Sequence, residues 1–488
     1  MSFIVDQGDF TSALGSNGGS CVSLRVGVFF DGTGNNLSNS EAAVDCMDPV
    51  KLASSQALRE QCARYGYDGQ GNAPADSYGN AKSNIAKLYE LYRDQVTERV
   101  QGEHSNVSLK VYVEGIGTQG GEKDSNLSKF TGRYASGVIA RVQQVPAAII
   151  EQLTAWATLN PATQIGRIEL DIFGFSRGAA AARHFANDIG KGQASRLAQC
   201  WPSSLSVLAE GFDWQSSQSL AINFIGLFDS VAAIVSVLDG NFSPANADYG
   251  GIEMRLSPTA AKKIVHLVAR DEQRKNFPLT QTDDDIVVPG AHSDVGGGYW
   301  PRAWEHLVLT RPVCSVEAHT LANEKSRAYQ QTQAQFHHSQ NAWQQLNLEV
   351  ELCCRADVVQ PAKQDTGAEK RVTAFVRGKR EMVGDLAVVY LRIMHRLGVD
   401  HQVPFRALDE QHMTLPLSLQ PIAAKLLAYV SGETPAPALS ADEEALLYGH
   451  YIHRSSHWST QGTPREGIDA KYINRPHESG QRGVYPNE

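Results

Sequence analysis

Residues 168–184, Ile-Glu-Leu-Asp-Ile-Phe-Gly-Phe-Ser-Arg-Gly-Ala-Ala-Ala-Ala-Arg-His, restrict the fold more than any other stretch of the chain. An apolar strand passes without a spacer into an alanine-rich helix. The corner is Gly174-Phe175-Ser176-Arg177-Gly178, a G-x-S-x-G match. A strand that turns directly into a helix strains the backbone at the corner residue, and glycines on either side remove the side chains that would collide there. The alanines that follow let the helix lie close to a sheet. The pattern predicts a nucleophile elbow, with the Ser176 hydroxyl exposed above the strand end and beside the positive end of the helix dipole. The competing reading is a tight turn with a buried serine. The placement between strand and helix, rather than the five-residue match, favours the elbow.

Further apolar or β-branched runs predict strands at 24–30, 108–114, 222–228, 263–269 and 286–290, beside the elbow strand at 167–173. Helical spacing follows Ser83, a plausible N-cap, and recurs at 137–159 with a break or kink near Pro146. Alternating strands and helices imply an α/β fold with a mostly parallel sheet flanked by helices, and chemistry in such sheets gathers at the carboxyl ends of the strands. Residues 37–81 read as a long excursion with little periodicity. Beyond about residue 304 the pattern becomes polar and helical, with candidate helices at 321–346, 372–397, 417–430 and 443–450. The expected organisation is an arm at 1–23, an α/β-hydrolase-like domain at 24–303 and a mainly helical addition at 304–488 that packs on the core.

A serine hydroxyl needs a base, usually a histidine oriented by a carboxylate. In α/β-hydrolases the chain order is Ser, then Asp or Glu, then His. Asp229 ends the first clear strand after the elbow and is the expected acid, against a plain helix N-cap role and against Asp271, Glu272 and Asp294. His292 follows the last strand, ahead of Gly296-Gly-Gly298, and is the expected base. His184 lies too far along the elbow helix, and His266 sits mid-strand where a packed core histidine is expected. The oxyanion formed on attack needs preorganised N–H donors. The backbone N–H of Arg177 is one candidate; those of Gly32 and Thr33 in Asp31-Gly-Thr-Gly are the others, against a simple Asx-type turn. Asp31 itself is suited to bind a cation or to hydrogen-bond the surrounding loops.

The net charge of −9, without a Lys/Arg block, argues against nucleic acid as a partner. Neither of the Gly-rich loops at Asp31–Asn36 and Gly115–Gly121 ends in the Lys-Ser/Thr of a P-loop, so a nucleotide role is discounted. No C-x-x-C pair occurs among the seven cysteines; they are expected as free thiols in a reducing cytosol, with neither a zinc site nor a disulfide framework. No metal site and no cofactor are expected; Asp283-Asp-Asp285 reads as a solvated turn, and calcium dependence stays open. No secretory leader is visible at the N-terminus. The longest apolar run, 221–238, carries Asp229 at its middle, which argues for a buried strand and a following lid rather than a membrane span.

Several segments together resemble one family: Val28-Phe-Phe-Asp-Gly-Thr-Gly-Asn-Asn36, Ser83-Asn-Ile-Ala-Lys-Leu88, Gly115-Ile-Gly-Thr118, Gly174-Phe-Ser-Arg-Gly-Ala179, Phe228-Asp-Ser-Val231, His266-Leu-Val-Ala-Arg-Asp-Glu272 and Gly290-Ala-His-Ser-Asp-Val-Gly-Gly-Gly-Tyr299. In order and spacing, over about residues 24–300, they are similar to the catalytic domain of type VI secretion phospholipase effectors of the G-x-S-x-G class. The resemblance implies a triad of Ser176, Asp229 and His292, the residues selected at the strand ends. It also implies phospholipase A-type hydrolysis of glycerophospholipid acyl esters in a rival bacterium's membrane, a spike, tube or adaptor partner, and a cognate immunity protein. The enzyme would be made in the producer's cytoplasm and delivered to the target cell's periplasm or membrane, where residues 231–238 would face lipid. The C-terminal third matches weakly, notably at Tyr451-Ile-His453 and near the C-terminus. Two other readings of the residues stand beside this one, a carboxylesterase acting on soluble esters and a non-catalytic module with a hydrolase fold.

Overall fold

Along strand β1 (Ser20–Phe30) the side chains alternate between two cores: Val22, Leu24, Val26, Val28 and Phe30 enter one, Phe29 the other. A strand buried on both faces belongs inside a covered parallel sheet, and the structure, a computed structural model, places it there. It describes residues 20–69, 73–74, 76–100, 106–122, 124, 134–232, 250–359, 368–409, 413–460 and 472–488. After β1 come β2 (Asn106–Val113), β3 (Thr163–Phe175), β4 (Leu220–Phe228), β5 (Lys263–Ala269), the short β6 (Leu279–Thr280) and β7 (Asp285–Val288). Six of these form one parallel sheet in the order β2-β1-β3-β4-β5-β7. From β1 the chain goes to β2 on one side and then returns to β3 on the other. The strand order therefore reverses between β1 and β3, and a crevice opens above their carboxyl ends. The loops that begin at Asp31 and Ser176 border it.

Helices cover both faces. Tyr134–Leu159 and Arg177–Ile189 pack on the face that carries the valines of β1; Asn84–Leu91, Leu386–Asp400, Gln420–Val430 and Ala441–His450 pack on the face that carries Phe29, Phe173 and Phe224. The expected α/β architecture with a helical C-terminal region is thus present. Ser83 caps its helix by accepting from the Ala86 N–H at 3.1 Å. The helix Tyr134–Leu159 runs through Pro146 as one element.

Three expectations need correcting. Residues 372–397 are not one helix: β11 (Glu369–Val383) occupies the first part and the helix begins only at Leu386. This strand pairs antiparallel with β8 (Arg302–Val308), β9 (Val313–Ala318) and β10 (Glu349–Val359), so a small antiparallel sheet accompanies the C-terminal helices. A charged inward residue disguised its period-two pattern. Arg380 is buried, bonded to Glu305 at 2.7 Å and to the carbonyls of Leu346, Tyr448 and Ile452. Second, the excursion at 37–81 folds into short helices, including Leu37–Ala42, Pro49–Ser54 and Gln56–Tyr65. Third, two cysteines expected as free thiols, Cys46 and Cys62, form a disulfide there. Their Cα atoms are 5.5 Å apart because the turn Val44–Met47 packs on the helix Gln56–Tyr65, a juxtaposition that the sequence spacing does not reveal. Among the described residues no helix is long and apolar enough to cross a membrane. The segment read as a lid leaves the described residues at position 233; Val231 and Ala232, ahead of it, are buried.

Candidate active site

At the end of β3 the chain reaches Ser176 with φ 59° and ψ −125°, a conformation costly for a residue with a side chain. Both flanking glycines are sterically required. A Cβ on Gly174 would lie 2.5 Å from the Gly178 carbonyl oxygen, and one on Gly178 would lie 2.3 Å from that of Phe30. Ser176 occupies the N-cap position of the helix Arg177–Ile189, yet its side chain caps nothing. The side-chain oxygen of a serine at this position ordinarily accepts from a backbone N–H of the first turn; here the hydroxyl makes no such bond. The backbone geometry is that of the predicted elbow, but Ser176 is buried, not exposed as expected, because the surrounding loops close over the corner.

Asp229 follows β4 and also has a positive φ, 43°. The Ser176 N–H donates to the Phe228 carbonyl at 3.0 Å, and the Asp229 N–H to that of Leu267 at 2.8 Å, so each corner is tied to the next strand. The Asp229 carboxylate is fully buried. Its Oδ2 lies 2.5 Å from His292 Nδ1, and its Oδ1 accepts from the Ala269 N–H at 2.9 Å. Burial would raise this carboxyl, but the Arg482 guanidinium, followed by the His292 contact, outweighs burial and holds it well below the usual carboxylate range. An ionised Asp229 requires the proton on Nδ1, which leaves a lone pair on His292 Nε2.

His292 opens a short helix, His292–Gly296, rather than lying in an open loop. Its ring packs between Phe175, with centroids 4.6 Å apart, and Phe277, at 5.1 Å. Burial in this aromatic setting lowers its pKa, against the raising effect of Asp229. The expected acid and base are therefore hydrogen-bonded, and His292 touches the elbow through Phe175. Ser176 Oγ and His292 Nε2 have no hydrogen-bond partner among the described residues. A catalytic contact of this kind often tightens only when substrate is bound.

On the other side of the crevice, Asp31 accepts from the Gly32 N–H (2.7 Å), Ser83 Oγ (2.8 Å) and Tyr112 Oη (2.6 Å). Burial nevertheless pushes its carboxyl up to about 6. Asp31 thus hydrogen-bonds its surrounding loops, one of the two roles expected for it. Of the loop donors singled out in the sequence, the Gly32 N–H is spent on Asp31, which leaves Thr33. The Thr33 hydroxyl accepts from Arg177 Nε, joining this loop to the elbow.

The rival residues all have other partners. Asp271 accepts from the Gly290 N–H and from Tyr448 Oη; Asp294 bonds His453 Nδ1 at 2.7 Å. Glu272 pairs with Arg274 at 2.8 Å and, against its burial, is held at about 2 by that charge. His266 bridges Asp285 and the Ser230 N–H, and His184 accepts from the Glu253 N–H. Among the described residues no cluster of His, Cys, Asp or Glu is placed to hold a metal ion.

Sequence reasoning missed what the C-terminal region adds. Arg482 donates from Nη1 to Asp229 Oδ1 at 2.7 Å and from Nη2 to Oδ2 at 2.9 Å. His453 and Ser455 grip Asp294 and Glu272 on either side of the base. No local pattern announces a partner 253 positions away.

A solved structure described as "Structure of the Tle1 effector bound to the VgrG spike from the Type 6 secretion system" is similar with a TM-score of 0.71 at 25% identity, covering 96% of this chain and 94% of that one. A second, "Crystal structure of an uncharacterized protein from Pseudomonas aeruginosa", covers 88% of this chain and 52% of its own at 18% identity, and its TM-score of 0.41 carries no argument. No curated protein is significantly similar. The sequence profile of the family described as "T6SS, Phospholipase effector Tle1-like, catalytic domain" matches residues 66–195 and 191–323, a span that holds Ser176, Asp229 and His292. The chain belongs to the Tle1-like phospholipase effectors of type VI secretion systems.

Proposed function

We propose that this protein is a serine hydrolase that cleaves acyl ester bonds of glycerophospholipids, a phospholipase of the A type, through Ser176, Asp229 and His292. The observation that carries the reading is the buried Asp229–His292 pair at 2.5 Å, set beside a strained serine whose hydroxyl does not cap its own helix. In the proposed reaction His292 Nε2 takes the proton of Ser176 as Oγ attacks the ester carbonyl, and Asp229 holds the imidazolium that forms. The backbone N–H groups of Arg177 and Thr33 face the charge that develops on the carbonyl oxygen. His292 then returns the proton to the departing alcohol, and a water activated by the same base releases the fatty acid.

Family membership supports delivery into a rival cell, where the substrate would be membrane phospholipid and a cognate immunity protein would protect the producer. The similar Tle1 effector is bound to a VgrG spike, and we propose a spike component as carrier for this chain as well. The test is lipid mass spectrometry after incubation with bacterial phospholipid vesicles. Free fatty acid and lysophospholipid are expected from the wild type and from neither Ser176→Ala nor His292→Ala. Turnover by purified, folded Ser176→Ala would sink the assignment.

A further inference from the structure

The triad acid is held by more than the base. Arg482 lies just ahead of β12 (Val484–Tyr485), which pairs with β6 (Val484 with Leu279, Tyr485 with Thr280), while the Thr280 N–H bonds the carbonyl of Ser230, the residue after the triad acid. The segment is anchored at its far end too: Asn487 accepts from Arg183 and from the Leu256 N–H and donates to Asp283. Between these anchors the Arg482 side chain is 7% exposed and spans both oxygens of Asp229, with Nε on the Phe277 carbonyl.

We propose that Arg482 is a positioning residue of the active site: its two parallel contacts fix the plane of the Asp229 carboxylate and offset its charge, so that His292 stays neutral, and therefore basic, in the resting enzyme. The inference rests on the triad reading given above. A buried Asp–His pair without a counter-cation would favour the imidazolium, because that state leaves no unpaired buried charge. Arg482 supplies the missing charge from outside the pair. The other acidic groups facing His292 already have partners. Glu272, which accepts from the His292 N–H, is paired with Arg274, and Asp294 on the same short helix is bonded to His453. Arg482 is thus the cation whose removal leaves Asp229 uncompensated.

The sign of the effect follows. Activity requires neutral His292, so it is lost as pH falls through the histidine pKa. Removing Arg482 raises that pKa and moves the acid limb of kcat/KM upward. The experiment measures pH profiles on a soluble short-chain ester for the full-length wild type, Arg482→Gln, Arg482→Lys and Ser176→Ala, each with its urea midpoint. For Arg482→Gln we expect the acid limb to rise by about one pH unit and kcat at pH 7 to fall about ten- to a hundredfold, with KM little changed. Arg482→Lys, one ammonium in place of a two-pronged contact, should fall between. A lowered urea midpoint with an unmoved limb and unchanged kcat would make Arg482 a purely structural residue and overturn the proposal. Should Arg482→Gln prove too unstable to assay, Arg482→Lys decides: a wild-type profile and kcat there overturn it equally. Turnover retained in Ser176→Ala would instead remove the triad reading itself, so the two failures are distinguishable.

Discussion

At the scale of single residues, the proposed function rests on where one proton sits. Asp229 stays ionised because a cation and a hydrogen-bond donor outweigh its burial. In Asp229→Asn the carboxamide can donate to Nδ1, which stabilises the tautomer with the proton on Nε2 and blocks that nitrogen as a base. We expect kcat to fall by on the order of 10⁴-fold with little change in folding midpoint, read from steady-state ester hydrolysis and urea unfolding. In the wild type the lowered pKa of His292 gives the pH dependence its sign. Neutral imidazole persists to a lower pH than for an exposed histidine, so the acid limb of kcat/KM should lie below about 6.5. A limb above that value would contradict the burial of His292 between Phe175 and Phe277.

At the scale of elements, turns and staples hold the walls of the crevice together. The elbow works because β3 and its helix meet with no intervening residue other than Ser176, and the loop after β1 is locked against it by the Arg177–Thr33 contact. Behind that loop stands the excursion stapled by Cys46–Cys62. It touches both walls of the crevice: Asn80 donates to the Gly34 carbonyl at 2.8 Å, and Trp300 Nε1, beyond His292, donates to that of Gly79 at 2.8 Å. The disulfide closes a 16-residue separation, for which the loss of unfolded-chain entropy is worth about 3 kcal/mol. Cys46→Ser together with Cys62→Ser should lower stability by about that amount, measured by chemical denaturation. Thiol titration of the unfolded, unreduced chain should find the five free cysteines and no more.

At the scale of the whole molecule, the catalytic sheet is not complete without the last third of the chain. The helix Leu386–Asp400 buries Leu386, Val389, Tyr390, Leu391, Ile393 and Met394 against the same face that carries Phe173 and Phe224. Each large apolar side chain exposed there would cost about 1.5–3 kcal/mol, and a domain has only about 5–15 kcal/mol of stability in total. A chain ended at residue 303 should therefore fail to give a cooperative unfolding transition or a single compact species by size-exclusion chromatography. A folded, active 1–303 fragment would show that the C-terminal region merely decorates the core. The same region brings Arg482, His453 and Ser455 to the loops that carry Asp229 and His292, so it contributes to both the core and the candidate site.

The strand-to-helix corner, the six parallel strands, the order Ser–Asp–His and the placement of each at a strand end were readable from residue types and period. Backbone sterics, side-chain alternation and strand polarity act over a few residues and leave their mark on neighbouring positions. Three things were not readable: the partner of Asp229, the Cys46–Cys62 bond, and the strand hidden in 369–383. Each depends on which distant segments fold against one another. Arg482 reaches Asp229, and the buried Arg380 reaches its carbonyls, only after hundreds or tens of intervening residues have packed. A charged residue that points inward looks in a sequence like any other on the surface. Local chemistry thus marked Ser176, Asp229 and His292 as the proposed nucleophile, acid and base, and long-range packing alone brought Arg482 to Asp229.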